Sequence, residues 1–338
     1  MAHGAGPKHA HPLIILPYRG YGNAQRWVLP GRVLKDKISR PPRAADRRWR
    51  NLVTFLRLIE SDELPYARLR ARSGGRHVEL RADDEGYFRI DMPAPAAEAG
   101  WQPIELELIP DAAVHAIGRV LVPPASARFA VVSDIDDTVV HTNVASKVRM
   151  LLTVALSNAR TRKPFEGVAA FYRALNAGVN PFFYVSKSPW NLYVPLAEYL
   201  EVQRLPEGPL FLRNLGLRMP RDHKCTAISA LLKAYPRLPF ILIGDSGEND
   251  PEVYATIVRR HPRRIRTIYI RSVNRAPRRL AAIERLIREV APSGCQLVLA
   301  PDSEHAAAHA AAEGLIPASQ LRPVRSEREK DITNEVRN

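Results

Sequence analysis

The sequence predicts two domains of different class: a smaller all-β, sandwich-like domain, followed by an α/β domain with a doubly wound parallel sheet. The 338-residue length exceeds the usual size of one domain. The first third carries short alternating strands, whereas the later chain alternates continuous apolar strands with helical segments. These patterns place the β domain at residues 1–126, the α/β domain at 127–316 and a polar tail at 317–338.

Alternating apolar and polar residues in the first domain predict strands with one solvated face. The clearest runs are RWVLPGRVL, RHVELRA, GYFRIDM and PIELELI. Two turn-forming stretches, SGGRH at 73–77 and ADDEGY at 82–87, are predicted to join neighbouring strands into hairpins. A basic stretch, Lys35 to Ser61, separates the first strands, and its second half has the apolar spacing of a helix.

The second domain changes pattern after residue 128. The apolar segments FAVVS, PFFYVS, FLRN, FILIG and IRTIYI each alternate with a helical segment. Continuous apolar strands of this kind are typical of a parallel sheet covered on both faces. A capped helix is expected from Asp302 to Leu315, and a disordered or frayed end from Pro317 onward.

Charge and cysteine usage narrow the function classes. The net charge of +15 favours contact with anions such as phosphate esters, nucleic acid or acidic lipid surfaces. Cys225 and Cys295 cannot build a disulfide framework and lack metal-site spacing, which favours free thiols in a reducing compartment. No apolar run reaches the ~20 residues that span a bilayer. The sequence therefore predicts a cytoplasmic protein whose membrane contact, if any, is peripheral.

Polar residues cluster after three of the predicted parallel strands. Ligands bind outside the carboxyl ends of the strands in open parallel sheets, because loops and helix N-termini converge there. The residues that follow these strands are Asp134, Asp136, Asp137 and Thr138; Ser186 and Lys187; and Asp245, Ser246 and Asp250. Three such sets on one sheet edge predict a functional site.

This arrangement resembles the haloacid dehalogenase (HAD) superfamily of phosphatases. Those enzymes carry a D-x-D-x-T motif, a Ser or Thr after the second strand, a Lys and a late acidic motif. The matching residues here are Asp134, Asp136 and Thr138; Ser186; Lys224; and Asp245 with Asp250. The flanking segments SDIDDTVVHT, YVSKSPWNLY and IGDSGENDPEVY also resemble the catalytic domain of actin-patch-associated phosphatidate phosphatases, distant relatives of the lipins.

The chemistry of phosphate transfer suits these residue types. A carboxylate such as Asp134 is ionised at neutral pH and can attack phosphorus, giving an acyl phosphate that water opens. Asp136 suits the acid that protonates the leaving alkoxide and then the base that activates water. Lys224 and Ser186 are expected to hold the nonbridging phosphate oxygens, and Thr138 to support the loop and the phosphate.

Clustered carboxylates favour a hard divalent cation, and Mg2+ fits where phosphate oxygens complete its coordination. The resemblance implies Asp134 and Asp245 as carboxylate ligands and Asp136 through its backbone carbonyl. It places Asp250 nearby, acting directly or through water.

Four further residues have two interpretations each. Asp137 either orients the first carboxylates or bonds its own turn, and Lys187 either binds phosphate or faces solvent. Trp190 either contacts an apolar substrate tail or packs at a helix start, and His223 either reaches substrate or lies on the surface.

Short segments after the first and third strands of the α/β domain leave little room for a cap, so an open site is expected. An open site admits a phosphate on a large molecule. Two cationic segments have more than one interpretation: Lys147 to Lys163 either rests on an anionic membrane or packs in the core, and Arg259 to Arg279 either attracts anionic lipid or nucleic acid or forms solvated faces around a strand. We therefore expect a Mg2+-dependent phosphatidate phosphatase that acts at an anionic membrane surface. The alternatives are a nucleic-acid or protein phosphomonoesterase, and a lipid-binding adaptor with weak catalysis; protein partners are not predicted.

Overall fold

A computed structural model describes residues 13–35, 62–95, 98–109, 111–135, 167–213 and 222–336. The chain divides into two compact units, Met1–Val122 and Pro123–Asn338. The basic stretch predicted to contain a helix, at residues 36–61, lies outside the described residues, as does the cationic segment at 147–163. Among the described residues, no helix is both long enough and apolar enough to cross a bilayer.

The first unit is a β structure built around one apolar core. Its strands are β1 Leu13–Pro17, β2 Gly20–Gly22, β3 Arg26–Lys35, β4 Asp62–Glu63, β5 Arg68–Ser73, β6 Arg76–Arg81, β7 Tyr87–Pro93, β8 Gly100–Ile109 and β9 His115–Val122. They pair in the order β1-β3-β2-β9-β8-β5-β6, with β4 and β7 also paired to β3. Most pairs are antiparallel, as predicted, and β2 with β9 is parallel.

Alternation along the strands explains which side chains enter this core. In β7, Phe88, Ile90 and Met92 are buried, whereas Arg89 and Asp91 between them are exposed. A period of two places successive side chains on opposite faces of a strand, so the sequence pattern translates directly into one buried face. The other large members of the core are Trp27, Leu29, Leu69, Ile104, Leu106 and Leu108.

One of the two predicted hairpins is present, and the other prediction is wrong. Strands β5 and β6 form the hairpin at SGGRH, with Gly74 and Gly75 at φ of +52° and +76°. The turn ADDEGY, by contrast, joins β6 to a strand that pairs with β3. The Asp83 carboxylate accepts the N–H groups of Glu85 and Tyr87, and this side-chain-capped turn redirects the chain to a different part of the sheet.

The second unit is an α/β domain with a six-stranded parallel sheet, which confirms the predicted fold class. Its strands are β10 Ala130–Asp134, β11 Phe182–Pro189, β12 Leu210–Arg213, β13 Phe240–Asp245, β14 Ile265–Arg271 and β15 Gln296–Ala300. Its α-helices are α1 Val168–Asn176, α2 Tyr193–Val202, α3 His223–Ala234, α4 Asp250–Arg260, α5 Pro277–Val290, α6 Ser303–Ala312 and α7 Leu321–Val336. Short 3-10 turns occupy Trp190–Leu192, Ala291–Ser293 and Ala318–Gln320.

Helices cover both faces of the parallel sheet. Helix α4 contacts α3 and α5, and α1, α6 and α7 form a second group. Strands between two helical layers must be apolar on both sides, which explains the continuous burial of Phe129 to Val132 and of Phe240 to Leu242. The strand order is β12-β11-β10-β13-β14-β15. Strands β11 and β12 are therefore added on one side of β10, and β13 to β15 on the other, so the strand order reverses between β10 and β13.

The C-terminal segment is helical and packed, contrary to the predicted disorder. Helix α7 buries Val324 completely and contacts α1 and α6. Its Asp331 and Glu327 carboxylates accept the N–H groups of Gly167 and Ala170, at the start of α1. The first N–H groups of a helix have no partner within it, so these carboxylates act as caps supplied by a distant segment. The predicted capped helix before it is confirmed: Asp302 caps α6 by accepting from the His305 N–H.

Candidate active site

Two aspartates end adjacent strands where the sheet reverses its order. Asp134 is the last residue of β10 and Asp245 is the last residue of β13, and the two strands pair in parallel. Parallel strands end at the same edge, and the loops on either side of a reversal diverge to leave a crevice. The predicted site edge is therefore the edge that the structure forms. Asp136, Asp137 and Thr138 lie outside the described residues.

Lys224 is the centre of an ion-pair cluster at this edge. The lysine lies in the first turn of α3, and its side chain is only 5% exposed. Its ammonium nitrogen lies 2.6 Å from Asp250 Oδ1, 2.9 Å from Asp134 Oδ1 and 3.2 Å from Glu248 Oε2. A buried ammonium group with three carboxylate neighbours is held in one place, unlike an ordinary solvated lysine.

Glu248 belongs to this cluster although the sequence did not single it out. Its carboxylate accepts from both Lys187 and Lys224. Burial acts to raise the pKa of Glu248, but the two lysines outweigh burial and hold that pKa below its ordinary value. Lys187 is thus partly exposed and ion-paired with Glu248, rather than simply facing solvent.

Asp250 is the most buried acid of the cluster, with 1% of its side chain exposed. Burial raises its pKa, and the pairing with Lys224 opposes that shift. Its second carboxylate oxygen accepts the backbone N–H of Asp245 at 3.2 Å. A β-carbon at Gly244 would lie 2.3 Å from this oxygen, so only glycine lets the carboxylate approach the end of β13 so closely.

Asp245 is turned toward its own loop. Its Oδ1 accepts the N–H groups of Gly247 at 2.7 Å and Glu248 at 3.2 Å, which folds the segment between β13 and α4 into a tight turn. Within the part of the chain that the structure describes, Asp134, Glu248 and Asp250 bring ligand oxygens within 4.8 Å of one another. Three carboxylates so close together offer the oxygen donors that a hard divalent cation requires. The three carboxylates therefore fit Mg2+. Glu248, and not Asp245, belongs to this group of closely spaced carboxylates.

Arg279 fixes the loop that carries Glu248. It lies in the first turn of α5, and its guanidinium donates to the backbone carbonyls of Ser246 and Glu248 and to the Glu252 carboxylate. One planar group thus holds both sides of the turn between Asp245 and Asp250. The sequence offered no signal for this role, because Arg279 is one of many arginines in a cationic run.

Replacing Arg279 with alanine is expected to lower kcat by up to about a hundredfold, because a displacement near 1 Å at catalytic groups costs on that order. KM should change less, and the Mg2+ concentration for half-maximal rate should rise. Steady-state kinetics over a Mg2+ titration measures both effects. Arg279→Lys should recover part of the loss, and exposed Arg285→Ala on the same helix should behave as wild type. Unchanged kinetics in Arg279→Ala would show that the loop keeps its shape without the clamp.

The remaining predicted residues have defined places. Ser186 is buried within β11, next to the residue that pairs with Asp134, and its hydroxyl accepts the Ser188 N–H. His223 bonds the Phe211 carbonyl through Nε2, a structural contact. Trp190 stacks on Tyr193, which supports the packing interpretation.

A cavity of about 110 Å³ adjoins Asp134 on the side of α1 and α6. Its walls include Phe171, Tyr172, Tyr269, Arg271, Asp302 and Ser303. Burial raises the pKa of Tyr172 to about 12, and its hydroxyl lies 2.8 Å from Ser133 Oγ, which in turn donates to the Asp134 carbonyl. A neutral tyrosine therefore helps to fix the backbone at the end of β10.

The segment that carries this site is similar to a described protein family. Residues 129–272 match the family model described as "Phosphatidate phosphatase APP1, catalytic domain". The protein named phosphatidate phosphatase APP1 of Saccharomyces cerevisiae is 36% identical over 149 residues, which cover 41% of this chain and 25% of that protein. An uncharacterized protein of Schizosaccharomyces pombe is 28% identical over 205 residues, covering 56% of this chain and 33% of the relative. The chain thus spans a quarter to a third of the curated relatives it matches.

Solved structures give weaker likenesses. A HAD family hydrolase from Deinococcus radiodurans, solved with bound phosphate and sodium, is 20% identical with a TM-score of 0.34, covering 57% of this chain and 99% of that one. A phosphoserine phosphatase from T. onnurineus is 10% identical with a TM-score of 0.28, covering 54% and 94%. Likenesses at this level carry no argument about substrate. The family match agrees with the predicted resemblance to actin-patch-associated phosphatidate phosphatases.

Proposed function

We propose, from the premise that residues 129–272 form a catalytic domain of the APP1-type, HAD-like phosphatase family, that the protein is a Mg2+-dependent phosphatidate phosphatase. It would hydrolyse the phosphate monoester of phosphatidate or a similar lipid and release diacylglycerol and inorganic phosphate. The observation that carries this proposal is the buried Lys224 held between Asp134 and Asp250 at the carboxyl edge of the sheet.

The proposed first step uses the Asp134 carboxylate. One of its oxygens attacks phosphorus, the bond between phosphorus and the ester oxygen breaks, and the leaving alkoxide takes a proton from Asp136. In the second step Asp136 removes a proton from water, which attacks the phosphorus of the acyl phosphate. Inorganic phosphate leaves and the Asp134 carboxylate is restored. Dividing one difficult displacement into two is the advantage of a carboxylate nucleophile.

Lys224 supports this mechanism in two ways. Its ammonium group, 2.9 Å from Asp134 Oδ1, places a positive charge beside a carboxylate that is only 3% exposed. When substrate binds, the same group is placed to hold the nonbridging phosphate oxygens together with Ser186. A fixed positive charge stabilises the transition state of phosphoryl transfer most strongly in a site that excludes water.

Mg2+ has a fitting set of oxygen donors in this site. Asp134, Glu248 and Asp250 bring carboxylate oxygens together. The resemblance adds Asp245 through its carboxylate and Asp136 through its backbone carbonyl. When bound, the cation neutralises charge on the phosphate oxygens during transfer. The carboxylates also repel an anionic substrate, so an added cation is needed for the site to accept phosphate.

A lipid substrate is proposed because the yeast relative is named a phosphatidate phosphatase. The strongly basic chain, with a net charge of +15, agrees with work at an anionic surface. Cytoplasmic placement with peripheral membrane contact remains a prediction of the sequence. So does the open site, since most of the segments that would carry a cap lie outside the described residues.

A substrate panel tests the proposal. Phosphate release is measured from phosphatidate vesicles, a 3'-phosphorylated oligonucleotide and a phosphopeptide, each with Mg2+ and with EDTA. The proposal predicts that phosphatidate is the preferred substrate and that EDTA abolishes release. Faster release from the oligonucleotide or phosphopeptide would overturn the substrate but keep the chemistry. Vesicle binding with no release from any substrate would point to an adaptor.

A further inference from the structure

One surface loop lies at the same sheet edge as the catalytic aspartates. Strand β14 pairs in parallel with β13, and Asp245 stands opposite Arg271, the last residue of β14. The chain then runs through Ser272 to the start of α5 at Pro277. We call residues 273–278, which are the connection and the first two residues of α5, the rim loop, since they begin two residues beyond the strand end that aligns with Asp245.

The rim loop is exposed along its whole length and combines an apolar residue with two cations. Val273 is 39% exposed, one of few large hydrophobic residues exposed to this degree in the described chain. Arg275 and Arg278 are also exposed, and neither forms an ion pair within the described residues. No acidic residue occurs between Ser272 and Ile283. The loop therefore presents unneutralised positive charge beside an exposed valine.

Hydrogen bonds hold the rim loop against the segment between β13 and α4. The Ser246 hydroxyl accepts the N–H groups of Val273 and Asn274, at 3.0 and 2.9 Å. Ser246 is fully buried and directly follows Asp245. The Asn274 side chain accepts the Ala276 N–H, and Arg279, just after the loop, bonds the Ser246 carbonyl. A fixed backbone positions these side chains without the entropic cost of ordering the loop backbone on binding.

We propose that the rim loop is a membrane-contact element that recognises an anionic lipid bilayer, with Val273 entering the headgroup region and Arg275 and Arg278 binding lipid phosphates. The inference rests on the proposed lipid substrate and identifies how the site meets it. Charge complementarity selects this partner, because each cationic residue near an anionic leaflet strengthens the attraction of the protein to the membrane. An adjacent apolar side chain strengthens binding further when it is buried among the lipids.

Vesicle binding tests the rim loop directly. Cosedimentation with phosphatidylserine and phosphatidylcholine vesicles that contain no phosphatidate is compared for wild type, the double variant Arg275→Gln with Arg278→Gln, and Val273→Ser. The double variant is expected to bind about thirtyfold more weakly, from the attraction that two arginines add. A matched control removes the same charge from exposed Arg285 and Arg288, which lie farther along α5.

Activity on two forms of the substrate separates this inference from the proposed function. The loop variants should lose activity on phosphatidate vesicles but keep wild-type activity on a monomeric short-chain phosphatidate. Equal vesicle binding by wild type and loop variants would overturn the inference, as would equal losses in the loop and control variants. If wild type releases no phosphate from either lipid, the proposed function fails, while the binding comparison still decides whether the loop contacts membranes.

Discussion

Replacement of Asp134 with asparagine is expected to lower phosphate release from phosphatidate by at least about a thousandfold, the order of loss when a covalent nucleophile is removed. Asparagine keeps the size of the side chain but cannot form the acyl phosphate. Release is measured with saturating Mg2+ and vesicle substrate. The control is Glu284→Gln, which removes an exposed carboxylate from α5 and should leave the rate unchanged.

The Asp134 variant should still fold, because Lys224 keeps Asp250 and Glu248 as ion-pair partners. Its thermal unfolding should be compared with that of wild type. A folded variant that retains even a tenth of the wild-type rate would contradict the assignment of Asp134 as nucleophile. The rate would then have to come from direct attack by water on the phosphate.

Replacement of Lys224 with methionine is expected to destabilise the second unit by about 3–5 kcal/mol, the usual effect of removing one partner from a buried ion pair. Methionine fills similar space, but Asp134 and Asp250 would remain buried without the ammonium group between them. Urea denaturation at neutral pH measures the change. Exposed Lys233→Met on the same helix serves as the control.

A second substitution makes this prediction specific. Adding Asp250→Asn to Lys224→Met removes one of the two stranded charges, so the double variant should recover part of the lost stability. An unfolding midpoint for Lys224→Met equal to that of wild type would show that the cluster contributes nothing to stability. Phosphate release should remain low in both variants, because neither retains Lys224 to hold the phosphate.

The sequence predicted the strands and the active edge because both depend on short-range patterns. Continuous apolar runs such as FILIG identify strands buried on both faces, and the residues after each run must lie at one edge. The placement of Asp134 and Asp245 at one edge follows from that rule, whereas the adjacency of their strands does not. The relation of Lys224 to Asp134 came only through the family resemblance, because ninety residues separate them in the chain.

Features that depend on distant contacts were not predictable from local patterns. Glu248 looks like an ordinary loop acid until the fold brings it to Lys187 and Lys224. The C-terminal helix has no strong apolar face, and it is held by carboxylates that cap another helix, a contact no periodicity reveals. The ADDEGY turn has hairpin composition, yet the partner of its second strand is set by the core.

Trapping the acyl phosphate tests directly whether Asp134 is the nucleophile. Protein turning over phosphatidate with Mg2+ is treated with borohydride, which reduces an acyl phosphate, and digested with trypsin. One peptide, Phe129–Lys147, contains Asp134, Asp136 and Asp137, so tandem mass spectrometry distinguishes them. We expect a reduced side chain at position 134 alone, dependent on phosphatidate and Mg2+. Phosphate release without reduction at Asp134, or reduction at Asp136 or Asp137, would contradict it.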